Sequence, residues 1–289
     1  MLARLRRRAP VYAYRIGSRV ARALPEPVAE ATAATAGKVA SAVLKDRRAQ
    51  VERHLRRAGA DVGAAEVFAS YARYWLESFR LPDASPADLD ARMHVDGLEH
   101  LEAGVEAGNG VILALPHLGG WDFGGAWFGS HGWKATVVVE PLEPPELFEW
   151  FAAFRERFGL TVVPLGPEAG TAVLRTLRAG GIAGLLCDRD IQGTGVEVEF
   201  FGERTNLPSG PAALALRTGA ALMPTAVYFE GRRGHRGVVR PPIACERTGS
   251  FRDDVARLTQ ALAHELETLI RAAPEQWHLL QPNWPSDPR

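Results

Sequence analysis

A histidine and an aspartate five positions apart are the residues of this 289-residue chain best suited to chemistry. His117 and Asp122 lie in VILALPHLGGWDFGG, where an apolar run ends and glycines follow. Residues five apart on one helix point roughly 140° apart, so a turn must bring the two side chains together. Gly119 and Gly120 can form it, because glycine adopts backbone angles that other residues avoid. The segment predicts a strand, a loop and a helix, with a base and its orienting acid between them.

A histidine held by a carboxylate can take the proton of a hydroxyl group without a nucleophilic serine. The Gly-x-Ser-x-Gly motif of serine hydrolases is absent from the sequence. Cys187 is an alternative nucleophile for an esterase or thioesterase, but only Arg189 nearby would activate it, so we expect a buried apolar residue. His131, His235 and His278 are not spaced like metal ligands, and no metal site is expected.

Further charged residues are candidates for binding an anion or supporting the histidine. In VEVEFFGERTNLPSG, Glu197 and Glu199 alternate with valines and share one face of a strand, which is turned either to solvent or to a site. Arg204 and the turn at 208–210, which opens a helix, can offer a cation and backbone N–H groups to a phosphate. Arg155, in the aromatic helix LFEWFAAFRERFG, can meet an anionic ligand or form a surface salt bridge.

Composition excludes several functional classes. The formal net charge is zero, which gives no global field for nucleic acid. Two cysteines are too few for a disulfide framework and favour a reducing compartment. The apolar runs are shorter than the roughly 20 residues of a membrane span, and we expect neither a span nor a cleaved signal. An excess of arginine before the first carboxylate, Glu26, suggests contact with an anionic surface.

The first eighty residues are expected to be largely helical, since apolar residues recur at helical spacing in VYAYRIGSRVARALP and EVFASYARYWLESFRL. Pro25 and Pro27 should interrupt the first segment. An apolar row runs beside a basic row there: Tyr12, Ile16, Val20 and Leu24 beside Arg15, Arg19 and Arg22. This helix would lie on a membrane surface, or it would face the core with a solvated basic side.

From about residue 94 the pattern changes to short strands that alternate with helices. Strands are expected at VILALP, ATVVVE, TVVPL, IAGLLCD, VEVEFF, LMPTAVYFE and GVVRPPI, and helices near 121–130, 145–158, 168–179, 209–218 and 251–272. The alternation predicts an α/β fold with a mostly parallel central sheet flanked by helices, preceded by the N-terminal helical segment. Ligands of such sheets bind at the carboxyl ends of strands, and His117 follows one such end.

HLGGWD, with the downstream VEVEFFGERTNLPSGPAALALRTGAALMPTAV, resembles the lysophospholipid acyltransferase superfamily, in particular its branch with the bacterial lipid A late acyltransferases. The GTGVEVEFFGE block and the closing PEQWHLLQPNWPSD are similar to the actinobacterial phosphatidylinositol mannoside acyltransferases. The resemblance extends from about residue 10 to the tail. It implies one acyltransferase domain over residues 1–289, with residues 1–80 as a helical region that can associate with a membrane.

The resemblance implies an acyl-CoA-dependent O-acyltransferase, peripheral at the cytoplasmic face of the cell membrane. It would esterify the 6-hydroxyl of a mannose in a phosphatidylinositol mannoside, with acyl-CoA as co-substrate and no cofactor. His117 would be the general base and Asp122 its orienting partner. Glu197, with Glu199 as second choice, would hold the histidine or the acceptor.

Arg155 and, with less support, Glu140 would fall in a second block of the family and contact substrate. Five aromatic residues are candidates for an acyl slot, namely Trp121, Phe123, Trp127, Phe128 and Phe154. The same chemistry on a lysophospholipid or a lipid A-type acceptor is an open alternative. A peripheral lipid-binding protein without catalysis is another.

Overall fold

Four helices form the N-terminal part of the chain, as the sequence predicts. They are α1 (Leu2–Ala23), α2 (Glu26–Val43), α3 (Lys45–Ala58) and α4 (Ala64–Arg80). The computed structural model describes residues 2–141 and 143–288, with side chains from residue 11 onward. The chain breaks at Pro25, and Pro27 lies in the first turn of α2, where a missing N–H breaks no helical hydrogen bond.

One side of α1 packs on the protein and the other is exposed. The ring of Tyr14 makes edge contacts with Trp75 of α4 and with Phe151, at centroid distances of 5.2 and 5.4 Å. The predicted apolar row points away from the protein, except for Leu24, which is partly buried. The exposed members of that row are Tyr12, Ile16 and Val20, at 48%, 59% and 50% exposure. These three side chains therefore do not face the core.

The basic row lies beside these residues, with Arg15 and Arg19 exposed. The side chains of Arg4, Arg6, Arg7 and Arg8 lie outside the described residues. Within residues 2–141 and 143–288, no helix combines the length and the apolar character that crossing a bilayer requires.

Nine strands follow within the described residues. They are β1 (Met93–Asp96), β2 (Val111–Leu115), β3 (Ala135–Val139), β4 (Thr161–Pro164), β5 (Ile182–Leu186), β6 (Val196–Phe200), β7 (Glu203–Leu207), β8 (Ala221–Glu230) and β9 (Gly234–Val239). Seven of them form one sheet in the order β1-β9-β8-β2-β5-β3-β4. All neighbours in it are parallel except β8 and β9, which a tight turn joins. The predicted mostly parallel sheet is confirmed.

Helices cover both faces of this sheet. They are α5 (Pro86–Ala91), α6 (Leu98–Glu106), α7 (Trp121–Ser130), α8 (Pro145–Glu156), α9 (Ala169–Arg178), α10 (Gly210–Thr218) and α11 (Phe251–Ala272). Successive residues of β2 point to opposite faces of the sheet and pack into two different hydrophobic cores. Ile112 packs with Leu177 of α9 and Leu258 of α11, whereas Val111 packs with Phe123 and Phe128 of α7. Burial on both faces explains why this strand is apolar throughout.

The structure differs from the predicted strands in three places. VEVEFF is not part of the main sheet, because β6 pairs antiparallel with β7 in a separate hairpin. The sequence patterns gave no indication of β1, MHVD, or of β7, ERTNL, since each contains few apolar residues. The strand predicted at GVVRPPI ends at Val239, just before the two prolines, which cannot donate to a ladder.

Candidate active site

His117 and Asp188 meet at the carboxyl edge of the sheet because of the register of two strands. β2 and β5 are parallel neighbours in which Leu115 lies opposite Leu186, and the N–H of Cys187 donates to the carbonyl of Leu115 at 2.8 Å. Two residues beyond each paired leucine, both chains leave the sheet at the same level. His117 and Asp188 therefore come together although 71 positions separate them.

The carboxylate of Asp188 holds the imidazole of His117. Nδ1 of His117 lies 2.6 Å from Oδ1, and the backbone N–H of His117 donates to Oδ2 at 3.1 Å. The indole N–H of Trp277 donates to the same Oδ2 at 2.8 Å. Burial opposes ionisation of Asp188, but the adjacent His117 and the hydrogen bonds it receives outweigh burial and hold the pKa of this carboxyl below its ordinary value.

This contact fixes the tautomer of the histidine. An ionised carboxylate only accepts hydrogen bonds, so Nδ1 of His117 carries the proton and Nε2 keeps its lone pair. The side chain of His117 is 23% exposed and lines a cavity. A ligand can reach Nε2, and a hydroxyl group bound there can pass its proton to it.

The glycine turn after His117 forms as the sequence predicts. Gly119 has φ of +62°, and a Cβ there would collide with the carbonyl oxygen of Val227. The N–H groups of Gly119 and Gly120 donate to the carbonyls of Gln276 and Val227 at 2.9 and 2.8 Å. Any side chain at position 119 would therefore push the histidine loop off β8.

Asp122, which we expected to orient His117, has other partners. It is buried in the first turn of α7. Arg155 of α8 donates Nε to its Oδ1 at 2.9 Å and Nη2 to its Oδ2 at 3.2 Å, and the hydroxyl of Tyr74 donates to Oδ2 at 2.7 Å. The turn leads straight into a helix whose first residues face α4 and α8. The expected pairing is thus corrected, since the carboxylate on His117 is Asp188.

Arg155 binds Asp122 and has little freedom to meet a ligand, although it lines the cavity. Burial opposes the charge on this guanidinium, but Asp122 outweighs burial and raises the pKa of Arg155. Burial, reinforced by the charge of Asp122, raises the pKa of Tyr74 well above its ordinary value. The Tyr74 ring stacks on Trp121 at 4.0 Å, and Trp121 meets His117 edge-on at 5.8 Å. Asp122 is thus connected to His117 by a chain of contacts through the rings of Tyr74 and Trp121.

Glu197, Glu199 and Arg204 lie on the exposed side of the β6–β7 hairpin. Glu197 and Glu199 do share a face, but Val198 and Phe200 form the buried face, so the glutamates point to solvent. Glu197 pairs with Arg204 at 3.0 Å, and their side chains are 63% and 81% exposed. The expected support of His117 by Glu197 or Glu199 is therefore corrected, whereas the binding of a phosphate by Arg204 stays a prediction.

The cavity beside His117 has a volume of about 550 Å³ and is mainly apolar. Glu140, which follows β3, lines it and lies 3.6 Å from Arg189, which follows β5. Ser209 and Gly210 at the start of α10 line it as well. The carboxyl edge of the sheet thus gives the cavity a polar rim.

An apolar branch of the cavity lies between α7 and the sheet. In the row Leu113, Gly184 and Val137 across β2, β5 and β3, the glycine leaves a gap on the α7 side. Of the predicted slot residues, Trp121, Trp127 and Phe128 line the cavity. Phe123 and Phe154 do not line it and are buried in the core beneath α7.

Cys187 is a buried apolar residue, as predicted. The residue is 1% exposed, and its thiol donates to the carbonyl of Leu185 at 3.1 Å. Burial, with the charge of Asp188 added, raises the pKa of this thiol. A thiol that stays protonated is a poor nucleophile, which counts against the cysteine esterase alternative.

Sequence reasoning missed Asp188, Trp277 and Tyr74 as members of the site. The pattern that could have found Asp188 is the apolar run GLL at 184–186, which ends two residues before Asp188, as LAL at 113–115 ends two residues before His117. Both runs were predicted as strands. Nothing in the sequence states that they are neighbours.

The α/β fold places a histidine–aspartate pair at the carboxyl edge of the sheet, beside an apolar cavity. This arrangement is suited to an enzyme that takes the proton of an alcohol so that the alcohol can attack a donor with an apolar chain. Residues 2–286 match the family described as Bacterial lipid A biosynthesis acyltransferase, and the chain belongs to this family. It is an acyltransferase, which excludes a lipid-binding protein without catalysis.

The chain is similar to curated proteins from mycobacteria and from Haemophilus influenzae. A phosphatidylinositol mannoside acyltransferase of Mycobacterium tuberculosis is 44% identical over 223 residues, covering 75% of this chain and 69% of the relative. The protein of the same name from Mycolicibacterium smegmatis is 37% identical over 282 residues, covering 95% and 91%. A lipid A biosynthesis acyltransferase of Haemophilus influenzae is 26% identical over 216 residues, covering 73% and 65%.

Proposed function

We propose that this acyltransferase moves a long, palmitoyl-like chain from acyl-CoA to the 6-hydroxyl of a mannose in phosphatidylinositol mannosides. The observation that carries the proposal is the His117–Asp188 pair beside a largely apolar cavity. This acceptor is supported by the two mycobacterial relatives, at 44% and 37% identity, since both are named phosphatidylinositol mannoside acyltransferase.

In the proposed reaction, Nε2 of His117 takes the proton of the mannose hydroxyl as its oxygen attacks the thioester carbonyl carbon. A C–O bond forms, the C–S bond breaks, and the proton passes from His117 to the departing thiolate of CoA. Asp188 stabilises the imidazolium in between. Direct transfer in a ternary complex needs no covalent enzyme intermediate, which agrees with the protonated, buried thiol of Cys187.

The acyl chain would occupy the apolar branch beside α7. This branch has Leu113, Val137 and Phe128 on its walls and Gly184 where a side chain would otherwise fill it. Glu140, on the polar rim, would accept hydrogen bonds from the sugar hydroxyls of the acceptor. Asp122 and Arg155 would act indirectly, by fixing Tyr74 and Trp121 beside the histidine.

Helix α1 would dock on the cytoplasmic face of the cell membrane. The exposed row Tyr12, Ile16 and Val20 would enter the boundary between head groups and acyl chains, while Arg15 and Arg19 meet anionic lipid. A lipid acceptor would then reach the cavity from the bilayer surface.

An acceptor panel tests the proposal. The purified chain is incubated with palmitoyl-CoA and, separately, a phosphatidylinositol mannoside, a lysophosphatidic acid and a lipid A precursor, and acylated product is measured by mass spectrometry. We expect rapid acylation of the mannoside on its mannose and little of the others. Faster acylation of lysophosphatidic acid or of the lipid A precursor would replace the proposed acceptor.

A further inference from the structure

The segment that follows α11 forms backbone hydrogen bonds with the loop that carries His117. The carbonyl of Gln276 accepts the N–H of Gly119 at 2.9 Å, and the N–H of His278 donates to the carbonyl of His117 at 2.7 Å. Between them, Trp277 pairs with Leu118 in an isolated antiparallel bridge. A short piece of the C-terminal region thus forms one wall of the loop that carries the base.

Trp277 also reaches the acid behind the base. Its indole N–H donates to Oδ2 of Asp188 at 2.8 Å, and the tryptophan is 2% exposed. Asn283, further along the same segment, donates its side-chain N–H to the backbone carbonyl of Asp188 at 2.9 Å. The segment therefore holds both the side chain and the backbone of Asp188.

We propose that Trp277 is a positioning residue, which keeps the carboxylate of Asp188 ionised and aimed at Nδ1 of His117 during acyl transfer. This inference rests on the proposed role of His117 as base. Asp188 is fully buried, and the bonds described for Oδ2 come from the backbone N–H of His117 and from Trp277. Indole is suited to the task because its N–H is a donor only and never competes for the proton.

The indole ring cannot easily turn away from Asp188. It packs against Phe201 at a centroid distance of 5.4 Å and against Phe200 at 6.2 Å. The ring of His54 also lies beside the indole, at a centroid distance of 5.4 Å. Apolar packing thus fixes the direction of a polar contact, as the support of an active-site group requires.

Two buried histidines and one cysteine are the nearest other titratable groups on the protein side of the pair. Burial, with the charge of His117 added, lowers the pKa of His278 to about 3, and burial lowers the pKa of His54 to about 4. Burial raises the pKa of the Cys187 thiol. The charged groups on the cavity rim are Glu140, Arg189 and Asp190.

The test is Trp277→Phe, which keeps an aromatic ring and removes the donor. Trp284→Phe is the matched control, because Trp284 belongs to the same buried cluster but donates to the carbonyl of Phe200 at 3.3 Å. We expect Trp277→Phe to lower kcat roughly 10-fold with KM for acyl-CoA unchanged, as for loss of a hydrogen bond to a buried charge. The acidic limb of its pH–kcat/KM profile should move to higher pH, since Asp188 loses a bond that favours its charged form.

Trp284→Phe should leave both kcat and the acidic limb as in the wild type. Equal effects of the two substitutions, or an unchanged kcat and pH profile in Trp277→Phe, would overturn the inference. Absence of acyl transfer by the wild-type chain would instead overturn the proposed function.

A second measurement avoids substitution at position 277. In the ¹⁵N-labelled wild-type protein, the indole N–H resonance of Trp277 should shift across the pH range in which kcat/KM changes, and this shift should vanish in His117→Ala. A resonance that does not respond to pH would also contradict the inference.

Discussion

His117 and Asp188 each lie two residues beyond a pair of leucines that face one another in neighbouring parallel strands, and their side chains meet at 2.6 Å. The carboxylate that contacts His117 is thus supplied by the next strand of the sheet and not by the helix that follows the histidine. This arrangement gives Asp188 and Asp122 different expected effects when they are changed.

Asp188→Asn should leave KM for acyl-CoA nearly unchanged and lower kcat by roughly 10³ to 10⁴. An amide can hold the imidazole in the wrong tautomer and cannot stabilise the imidazolium, an effect of this size being known for serine proteases. Steady-state kinetics with a phosphatidylinositol mannoside as acceptor measure it. A variant within 10-fold of the wild-type kcat would remove Asp188 from the mechanism.

Asp122→Asn should act first on stability. The substitution leaves the buried Arg155 without its counter-charge, and breaking a buried ion pair costs about 3 kcal/mol or more. Denaturant unfolding should show this loss, and kcat of the folded variant should fall less than it does in Asp188→Asn. Unchanged stability together with a kcat as low as that of Asp188→Asn would indicate that Asp122 acts directly on His117.

Gly184→Val should shorten the acyl chain that the enzyme accepts. A Cβ at this position would lie 3.3 Å from Val137 and project into the apolar branch beside α7, and valine itself suits a strand. The rate with palmitoyl-CoA should fall at least about 10-fold relative to octanoyl-CoA, as steric overlap of a few kcal/mol implies.

Gly170→Val is the matched control for this change, because Gly170 lines the cavity on the α9 side and has open space at its Cβ. Its chain-length preference should match that of the wild type. An unaltered preference in Gly184→Val would mean that the chain lies elsewhere.

Replacement of Tyr12, Ile16 and Val20 by serine should weaken binding to anionic liposomes at least about 10-fold, because the proposed docking of α1 would lose its three exposed apolar side chains. Thermal stability should barely change, since these three side chains are exposed. Co-sedimentation with vesicles measures the binding. Val62→Ser, at another exposed valine, should bind as the wild type does; a triple variant that binds equally well would refute docking through α1.

Stability should decline as pH falls from about 6.5 toward 3, in part because of His278. Its folded pKa of about 3 lies below the unfolded value of 6.5, so the unfolded chain binds more protons in this window and gains from acidification. One such imidazole contributes up to roughly 1.4 kcal/mol per pH unit. His278→Gln should therefore flatten the pH dependence of the unfolding free energy between pH 5 and 6.5.

The control is His94→Gln, which changes a histidine whose side chain is 73% exposed. It should leave that pH dependence unchanged. A slope in His278→Gln as steep as in the wild type would show that other groups govern the acid sensitivity.

Much of the fold follows from local pattern. The helix predicted at 121–130 is α7 itself, because a glycine turn and an apolar strand mark its start. The strands VILAL and IAGLL were recognisable because both faces of a parallel sheet are buried. Their adjacency was not recognisable, since the order of strands depends on how the crossover helices pack. Asp188 could not be assigned to His117 without that order.

The misassigned residues have a related cause. Alternation in VEVEF fixed that Glu197 and Glu199 share a face, but the packing of Val198 and Phe200 decided which face is buried. The spacing of His117 and Asp122 was compatible with a contact, but Arg155, from a helix more than thirty positions away, binds the carboxylate instead. In both cases a tertiary partner decided what the local pattern left open.

The most direct test of the central claim is single-turnover acyl transfer by His117→Gln. Glutamine can still donate a hydrogen bond toward Asp188 but cannot take a proton from the acceptor hydroxyl. With palmitoyl-CoA and a phosphatidylinositol mannoside, the account predicts a variant that unfolds near the wild-type temperature and transfers the acyl chain at least about 10³-fold more slowly. Transfer at the wild-type rate by this variant would contradict it.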